Sequence, residues 1–226
     1  MTRLRIGTWN MEGRWSAPHR AMVLDLACDV WLLTEVSKQA NVPLNIHRSS
    51  GPMPDGRSWA AIGSRHPLTP MADPHTASAA ARVGGITYCS SVLPWRSSGS
   101  AEPWGAGTAG TRTSRALSTL DRQIPRTRLV WGGDLNHSVH GTEVAGSLDG
   151  RGLIAEFVAD RKLVMATAGL PHRLEGVGTI DHVAVPSAWS IVSASRVDAT
   201  GLSDHDVYVV EVSRDDYTPQ QTPARG

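Results

Sequence analysis

The chain has 226 residues, of which 40% are hydrophobic and 19% are charged, and its formal net charge is +1 at pH 7. A chain of this length buries enough apolar surface to fold without disulfides or a structural metal, and its composition excludes extended disorder. The near-neutral charge excludes the broad basic surface that sequence-independent nucleic-acid binding usually shows, while a local basic patch stays possible.

The termini and the cysteines bear on the compartment. The N-terminal segment MTRLRIGTWN lacks the continuous apolar stretch of a secretory signal, and no apolar run reaches membrane-spanning length. Cys28 and Cys89 lie in apolar contexts where a thiol packs as a small hydrophobic group, so no disulfide framework is implied. We therefore expect a cytoplasmic, reduced protein that has no membrane span and is a monomer.

The first half of the chain predicts short strands, one helix and one long loop. Residues 4–9 form a compact strand-like run that the polar positions after Trp9 end. Ser16 fits a helix N-cap, with Pro18 just inside the helix. The apolar run VWLLTE is a second strand, which ends at Glu35. Further strands are predicted at 58–64 and 83–93, after a loop at 37–57.

The second half is predicted to alternate helices with strands. The segment 96–115 is rich in Ser, Gly, Thr and Ala around Trp104 and is expected to be a surface loop. Helices are predicted at 114–123 and 151–162. Strands are predicted at 128–131, 163–166, 179–185, 189–197 and 206–212. We expect a single domain over residues 1–213 and a loose polar tail over residues 214–226.

Polar side chains gather where the predicted strands stop. They are Asn10, Glu35, Asp134, Asn136, Asp181, Asp204 and His205. If these strands end on a common edge, the polar groups meet in one cleft, where α/β proteins commonly place their sites. Carboxylate and amide oxygens are hard ligands that suit Mg²⁺ or Mn²⁺, and no dense Cys/His cluster indicates zinc.

The motifs GTWN, LLTEV, GGDLN, TIDHV and LSDHD occur in that order and resemble the five motifs of the endonuclease/exonuclease/phosphatase family. The resemblance extends from Leu4 to about Val212, and five ordered motifs are far more specific than any one of them. It implies an α/β (α+β) fold of the deoxyribonuclease I-like kind: a four-layer sandwich of two packed mixed β-sheets flanked by helices. It also implies a divalent-metal-dependent hydrolase of phosphate esters.

The resemblance assigns three positions to the cation. Asn10 and Glu35 match residues that help to hold it, with Glu35 as the direct ligand, and Asp204 matches an acid close to the metal. Attack on a phosphate ester adds negative charge around phosphorus, so a bound cation can stabilise the transition state by several kcal/mol. We expect Mg²⁺, or Mn²⁺, at this position.

Four further positions match catalytic residues of the family. Asp134 matches the group that orients or deprotonates the attacking water, and a positioned general base contributes about 10²- to 10⁴-fold. Asn136 matches a neighbour that contacts the scissile phosphate. His205 matches the histidine that contacts the phosphate, and Asp181 matches the carboxylate that bonds it. Such a carboxylate fixes the imidazole and favours its charged form.

The chain departs from the family pattern after the middle strand. Many members carry a catalytic His or Tyr there, whereas the segment GITYCSSVLPWR has no histidine. Tyr88, Ser91 or Trp95 are the candidates for that neighbourhood, and the role stays unassigned. A metal-bound water or an acidic leaving group would make it dispensable. In the same segment, Trp95 and Arg96 are candidate substrate contacts.

Several other polar residues have structural explanations. His182 is expected to point to the opposite face of its strand from Asp181, because neighbouring side chains alternate, and Asp206 is expected to be a supporting residue at a strand start. The remaining histidines are expected to be solvated: His19, His47, His66, His75, His137, His140 and His172. The basic stretch between Arg112 and Arg128 fits either phosphate contact or a solvated helix face.

The substrate stays open at this point. The leading hypothesis is a nuclease, or a phosphodiesterase acting on a smaller ester. A phosphatase or phospholipase-like hydrolase of a small or lipid phosphate is the alternative, and a catalytically silent binding domain is the third possibility. Substrate choice is expected to lie in loops 37–57 and 96–115, which carry no recognisable signature.

Overall fold

The computed structural model describes residues 2–141 and 145–214. In chain order its elements are β1 Thr2–Asn10, α1 Ala17–Asp25, β2 Val30–Val36, β3 Asn45–Arg48, β4 Ser58–Ser64, β5 Thr69–Pro70, β6 Ser78–Val83, β7 Ile86–Ser91, α2 Ala109–Gln123, β8 Leu129–Asp134, α3 Leu148–Asp160, β9 Leu163–Met165, β10 Asp181–Pro186, β11 Ser190–Val197 and β12 Val207–Arg214. The strands form two six-stranded sheets, ordered β11-β12-β1-β2-β4-β3 and β5-β6-β7-β8-β10-β9.

Both sheets are mixed, and their pairing sets where polar side chains meet. β1 and β2 run parallel, so Asn10 lies opposite Thr34 and next to Glu35. In the second sheet β7 and β8 run parallel, while β8 and β10 are antiparallel and place Asp134 opposite Asp181. Each register therefore brings two of the predicted site residues to one end of its sheet.

The apolar core lies in three layers. Between the sheets, side chains such as Leu32 of β2 and Val130 of β8 form one buried cluster. Their strand neighbours point the other way because side chains alternate along a strand. Trp131 thus packs under α2 and α3, with Phe157, and Trp31 packs under α1. Helix, sheet, sheet and helix make up the four-layer sandwich that the motifs implied.

The strand predicted at 83–93 is in fact the second half of a hairpin. β6 and β7 pair antiparallel around a tight turn at Gly84 and Gly85, which both have positive φ. Two adjacent glycines supply the left-handed backbone that such a two-residue turn needs. β6 was not predicted because its sequence SAAARV lacks the β-branched and aromatic enrichment of a typical strand. Two short strands, β3 and β5, were also missed.

The loop predicted at 96–115 is shorter than expected. α2 begins at Ala109, where Thr108 caps it by accepting a hydrogen bond from the Thr111 backbone N–H at 3.1 Å. The guanidinium of Arg112 is buried and donates to the carbonyls of Gly107 and Arg96 at 2.7 and 3.0 Å. A polar-looking segment is therefore helical because its polar side chains fold back onto the preceding loop.

The predicted domain boundary at residue 213 falls one residue inside β12, which ends at Arg214. The remainder of the predicted tail, 215–226, lies outside the described residues, as do residues 1 and 142–144. Among the residues that are described, every helix is too short or too polar to cross a membrane. The cytoplasmic compartment, the monomeric state and the single domain stay predictions.

Candidate active site

Asn10 connects the ends of the two sheets. Its side chain is buried, and its amide Nδ2 donates to Glu35 Oε1 at 3.1 Å and to Asp134 Oδ2 at 2.9 Å. The amide oxygen accepts a hydrogen bond from the Glu12 backbone N–H at 2.9 Å, which fixes which way the amide faces. One side chain thus positions a carboxylate of the first sheet relative to a carboxylate of the second.

Asp134 ends β8, and the two glycines before it are required by close backbone packing. A Cβ at Gly132 would lie 1.9 Å from the His182 carbonyl oxygen. Gly133 has a φ of +113°, and a Cβ there would lie 2.4 Å from the Ser91 carbonyl oxygen. The sequence GGD therefore brings β8 close to its neighbours and delivers a buried carboxylate at the strand end.

Asn136 turns the chain after Asp134. It has a left-handed φ of +53°, a conformation that asparagine tolerates better than most residues. Its backbone N–H donates to Asp134 Oδ1 at 3.0 Å, and its side-chain Nδ2 donates to the Leu93 carbonyl at 2.9 Å. Both oxygens of Asp134 are thus oriented, one by Asn10 and one by Asn136.

His205 is held against Asp181. The two side chains lie 2.7 Å apart, from Nδ1 to Oδ2. The loop before β12 is fixed by Ser203, whose hydroxyl donates to the Asn10 carbonyl at 2.7 Å and accepts from the His205 backbone N–H at 3.1 Å. The other ring nitrogen, Nε2, lies 4.0 Å from Asp134 Oδ2 and 3.9 Å from Asp204 Oδ1. His205 therefore lies between three carboxylates.

The carboxylates and the imidazole shift one another's pKa. Burial alone would lower the pKa of His205, but the nearby carboxylates of Asp181 and Asp134 outweigh burial and raise it to about 10. Burial, together with the negative charges of Asp181 and Glu35, raises the pKa of Asp134 to about 7. The positive charge of His205 lowers it in part. A protonated imidazolium therefore lies beside a carboxylate that titrates near neutrality.

Glu35 has two intramolecular partners. Its backbone is left-handed, with a φ of +51°, and Oε1 accepts from Asn10 while Oε2 pairs with the Arg57 guanidinium. Arg57 also contacts Asp55 at 2.6 Å, and its side chain passes over Gly13, where a Cβ would lie 2.3 Å from its Cδ. Sequence reasoning missed Arg57, because a single arginine inside a predicted loop carries no signal.

The donor atoms fit a hard divalent cation. Asp134, Asp181 and His205 offer atoms within 4.8 Å of one another, and Asp181 Oδ1 is buried with no hydrogen-bond partner among the described residues. The sequence instead assigned the cation to Asn10, Glu35 and Asp204. The Nδ1 atom of His205 is already paired with Asp181 Oδ2 at 2.7 Å. The carboxylates are the better candidates, and the Asp204 side chain, 67% exposed, is accessible to a cation.

Tyr88, Ser91 and Trp95 are the candidates for the position where many family members carry a catalytic His or Tyr, and they differ in burial. Tyr88 is buried between the sheets. Ser91 is also buried, and its hydroxyl accepts hydrogen bonds from Ser78 and from the Trp131 indole. Trp95 is 36% exposed and follows Leu93, whose backbone N–H donates to the Asp134 carbonyl at 3.0 Å. Of these three residues, only Trp95 is both exposed and close in sequence to a residue that contacts Asp134.

The expectation that most histidines are solvated was partly wrong. His19 is buried and stacks on Trp9, with ring centroids 5.3 Å apart. His137 is buried and contacts the Leu135 carbonyl at 2.8 Å. His182 is structural, as predicted: it lies 3.1 Å from the Thr167 hydroxyl, and burial lowers its pKa to about 4.

Asp206 also has the supporting role that was expected for it. It is buried and pairs with Arg173 at 2.6 Å and with Arg196 at 2.9 Å. These two ion pairs fix the start of β12 directly after His205.

The fold and the site both point to a hydrolase of phosphate esters. Residues 7–205 match the model of the Endonuclease/Exonuclease/phosphatase family, and the chain belongs to this family. None of the curated proteins matches the chain.

Solved structures of the same fold share little sequence with the chain. The endonuclease domain of TRAS1, a telomere-specific non-LTR retrotransposon, is 16% identical with a TM-score of 0.67, covering 93% of this chain and 98% of that domain. The endonuclease/exonuclease/phosphatase from Beutenbergia cavernae DSM 12333 is 17% identical with a TM-score of 0.64, covering 93% and 71%. The AP endonuclease LMAP from Leishmania major is 12% identical with a TM-score of 0.68, covering 94% and 88%. At these identities the likeness shows the fold alone.

Proposed function

We propose that the chain is a divalent-metal-dependent phosphodiesterase, and specifically a nuclease, which hydrolyses its substrate with an activated water. The observation that carries this proposal is the contact network of Asn10, Asp134, Asp181 and His205. It places a carboxylate that can accept a proton 4.0 Å from an imidazolium that can bind an anion. Two solved structures of the same fold are named as endonucleases, the TRAS1 domain and LMAP, which supports the choice of a nuclease.

Asp134 is the proposed general base. Its pKa of about 7 suits a general base at neutral pH, because such a base is most effective when its pKa lies near the pH of the reaction. The hydrogen bonds from Asn10 and Asn136 fix both of its oxygens, so the carboxylate needs little reorganisation to accept a proton from water. A positioned base of this kind contributes about 10²- to 10⁴-fold to the rate.

His205 is the proposed phosphate contact. Its Nδ1 proton is held by Asp181, so Nε2–H is free to donate to a nonbridging oxygen. With its raised pKa, the ring keeps this charge across the neutral range. Asn136 is proposed to bind the same phosphate through its amide, and Trp95 and Arg96 are proposed to contact the parts of the substrate on either side.

Glu35, together with Asn10 and Asp204, is proposed to hold Mg²⁺ or Mn²⁺. When bound, the cation supplies charge stabilisation for the oxygens around phosphorus. Carboxylate and amide oxygens are the ligands such ions prefer, which agrees with the donor set at this sheet edge. Asn10 would hold Glu35 at a fixed distance from Asp134, because it donates to both.

Site variants test the proposal. Asp134→Asn, Glu35→Gln and His205→Ala are each expected to remove most hydrolysis of an oligonucleotide in Mg²⁺ while the fold persists, as circular dichroism would show. Asp160→Asn, an exposed acid at the end of α3, is the matched control and should retain full activity. Wild-type rates in all three site variants, or cleavage that EDTA does not affect, would contradict the proposed mechanism.

A substrate screen separates the alternatives. Single- and double-stranded DNA, RNA, small phosphomonoesters and lipid phosphate esters would be compared at one Mg²⁺ concentration. Turnover of nucleic acid is the expected result. Preferential hydrolysis of a phosphomonoester or a lipid phosphate would establish the alternative hydrolase, and turnover of none of them, together with no metal binding by calorimetry, would establish a silent binding domain.

A further inference from the structure

Trp95 is an exposed aromatic side chain on a loop that is fixed at several points. It is 36% exposed, whereas Trp59 and Trp104 nearby are 3% and 2% exposed. An indole combines a flat apolar face with a polar N–H, so an accessible one on a fixed support is suited to stacking against a planar ligand.

The support beneath Trp95 is a packed aromatic cluster. Its ring meets the Trp104 ring edge-on, with centroids 6.4 Å apart at 83°. Trp104 in turn stacks on His75 at 5.6 Å and 15°, and contacts Trp59 edge-on at 5.5 Å. Trp104 belongs to the main apolar cluster under α2 and α3. The indole of Trp95 therefore has a firm surface behind it.

The backbone on both sides of Trp95 is also tied down. Before it, the Leu93 carbonyl accepts from Asn136 Nδ2 at 2.9 Å, and the Leu93 N–H donates to the Asp134 carbonyl at 3.0 Å. After it, the Arg96 carbonyl accepts from the buried guanidinium of Arg112 at 3.0 Å, and Arg96 Nε donates to the Gly146 carbonyl at 3.1 Å. The loop is thus preorganised and loses little entropy when a ligand binds.

We infer that Trp95 is a stacking platform for a nucleobase of the substrate strand, next to the scissile phosphate. This inference rests on the proposed nuclease function and deepens it. Trp95 follows Leu93 after a single intervening residue, at most about 7 Å of extended chain, so the indole lies near the site rather than at a remote surface. Arg96 is the next residue in the chain and is exposed, so its guanidinium can contact a phosphate of the same strand.

The platform also selects the form of the nucleic acid. A base inside a duplex is covered on both faces by its neighbours, whereas an unpaired base offers a free face for stacking. Trp95 is therefore expected to favour a single strand, or an end or distortion where a base is unpaired. This agrees with the formal net charge of +1, since stacking contributes affinity without a broad basic surface.

Binding of two single-stranded oligomers, one with bases and one without, tests the inference without relying on turnover. In an Asp134→Asn background, fluorescence anisotropy would compare a labelled thymidine oligomer with an oligomer of the same length that carries abasic sugars. The base-bearing strand is expected to bind about 5- to 100-fold more tightly, the range that stacking on an aromatic residue provides. Trp95→Ala should abolish this difference, and Trp95→Phe should retain part of it.

Trp189 provides the matched control. It follows β10 at the end away from Asp181, so Trp189→Phe should keep the full preference for bases. Equal affinity of the Asp134→Asn chain for both oligomers, binding of neither, or an undiminished preference once Trp95→Ala is added would overturn the inference. Oligonucleotide cleavage by the unaltered chain is measured separately, so the nuclease proposal stands or falls independently.

Discussion

Replacing Asp181 by Asn tests the central ion pair of the site. Burial lowers the pKa of His205, and Asp181 is the largest of the three carboxylate influences, with Asp134 and Asp204, that raise it from 6.5 to about 10. A shift of this size corresponds to about 5 kcal/mol in favour of the charged ring, at about 1.4 kcal/mol for each pKa unit. Asp134 stays 4.0 Å away in the variant, so part of the shift is kept. An adjacent opposite charge typically shifts a pKa by about 1 to 3 units, so we expect the pKa of His205 to fall by about 2 when the charge of Asp181 is removed.

The lower pKa of His205 in Asp181→Asn changes both activity and stability. With a pKa about 2 units lower, the charged fraction of the ring at about pH 9 drops from about 90% to about 10%. The variant should therefore lose about tenfold more activity at pH 9 than at pH 6.5. The raised pKa stabilises the fold fully below 6.5 and ceases to do so as the pH rises through about 10. The stability lost in Asp181→Asn should thus be largest at about pH 6, where the His205 ring is fully charged and Asp181 is ionised, and shrink toward pH 10.

Nuclear magnetic resonance measures the pKa of His205 directly. The ring resonances of His205, identified by their absence in His205→Gln, would be titrated without metal in the wild type and in Asp181→Asn. Urea unfolding at several pH values measures the stability lost in Asp181→Asn. Asp160→Asn is the control substitution. An unchanged His205 pKa in the variant would refute the pairing, as would a loss of stability that grows with pH.

Three other substitutions give distinct outcomes. Arg57→Gln should bind Mn²⁺ several-fold more tightly by calorimetry, because Glu35 Oε2 loses an internal partner that the cation must displace; weaker binding would show that Arg57 supports the metal. Gly132→Ala should lower the free energy of unfolding by about 2 kcal/mol or more in urea, because its Cβ would overlap the His182 carbonyl; wild-type stability would mean that β8 can move away. Asp204→Asn should weaken Mn²⁺ binding less than Glu35→Gln does, because its exposed side chain stays hydrated; the reverse order would make Asp204 the principal ligand.

The sequence predicts the ends of strands better than their partners. Asn10, Glu35 and Asp134 follow clear apolar runs, so their positions at strand ends can be inferred from the sequence alone. The pairing of β1 with β2 and of β8 with β10 cannot be inferred in this way, because register depends on contacts between residues far apart in the chain. The five ordered motifs supplied this information through the family resemblance, which placed all of these residues in one cleft.

Residues without a local pattern were missed for a physical reason. Arg57 is significant because Gly13, more than forty positions earlier, leaves room for its side chain and Glu35 pairs with its guanidinium. Trp104 looked like a loop residue because the segment around it is rich in Gly, Ala, Ser and Thr, yet it is buried through contacts with Trp59 and His75. Hydrophobic periodicity reports on regular elements, so an irregular segment that packs as core escapes it.

The way the site is divided between the sheets explains why its geometry depends on the core. The Asn10 amide donates to Asp134 across the gap between the sheets, and the Ser90 hydroxyl donates to the Leu33 carbonyl across the same gap at 2.9 Å. Asp134 is held there at a raised pKa, which means that the fold is less stable with this carboxylate charged. Apolar packing between the sheets offsets that cost. A cavity in this cluster, such as Leu32→Ala, would therefore be expected to loosen the Asn10–Asp134 contact before it unfolds the chain.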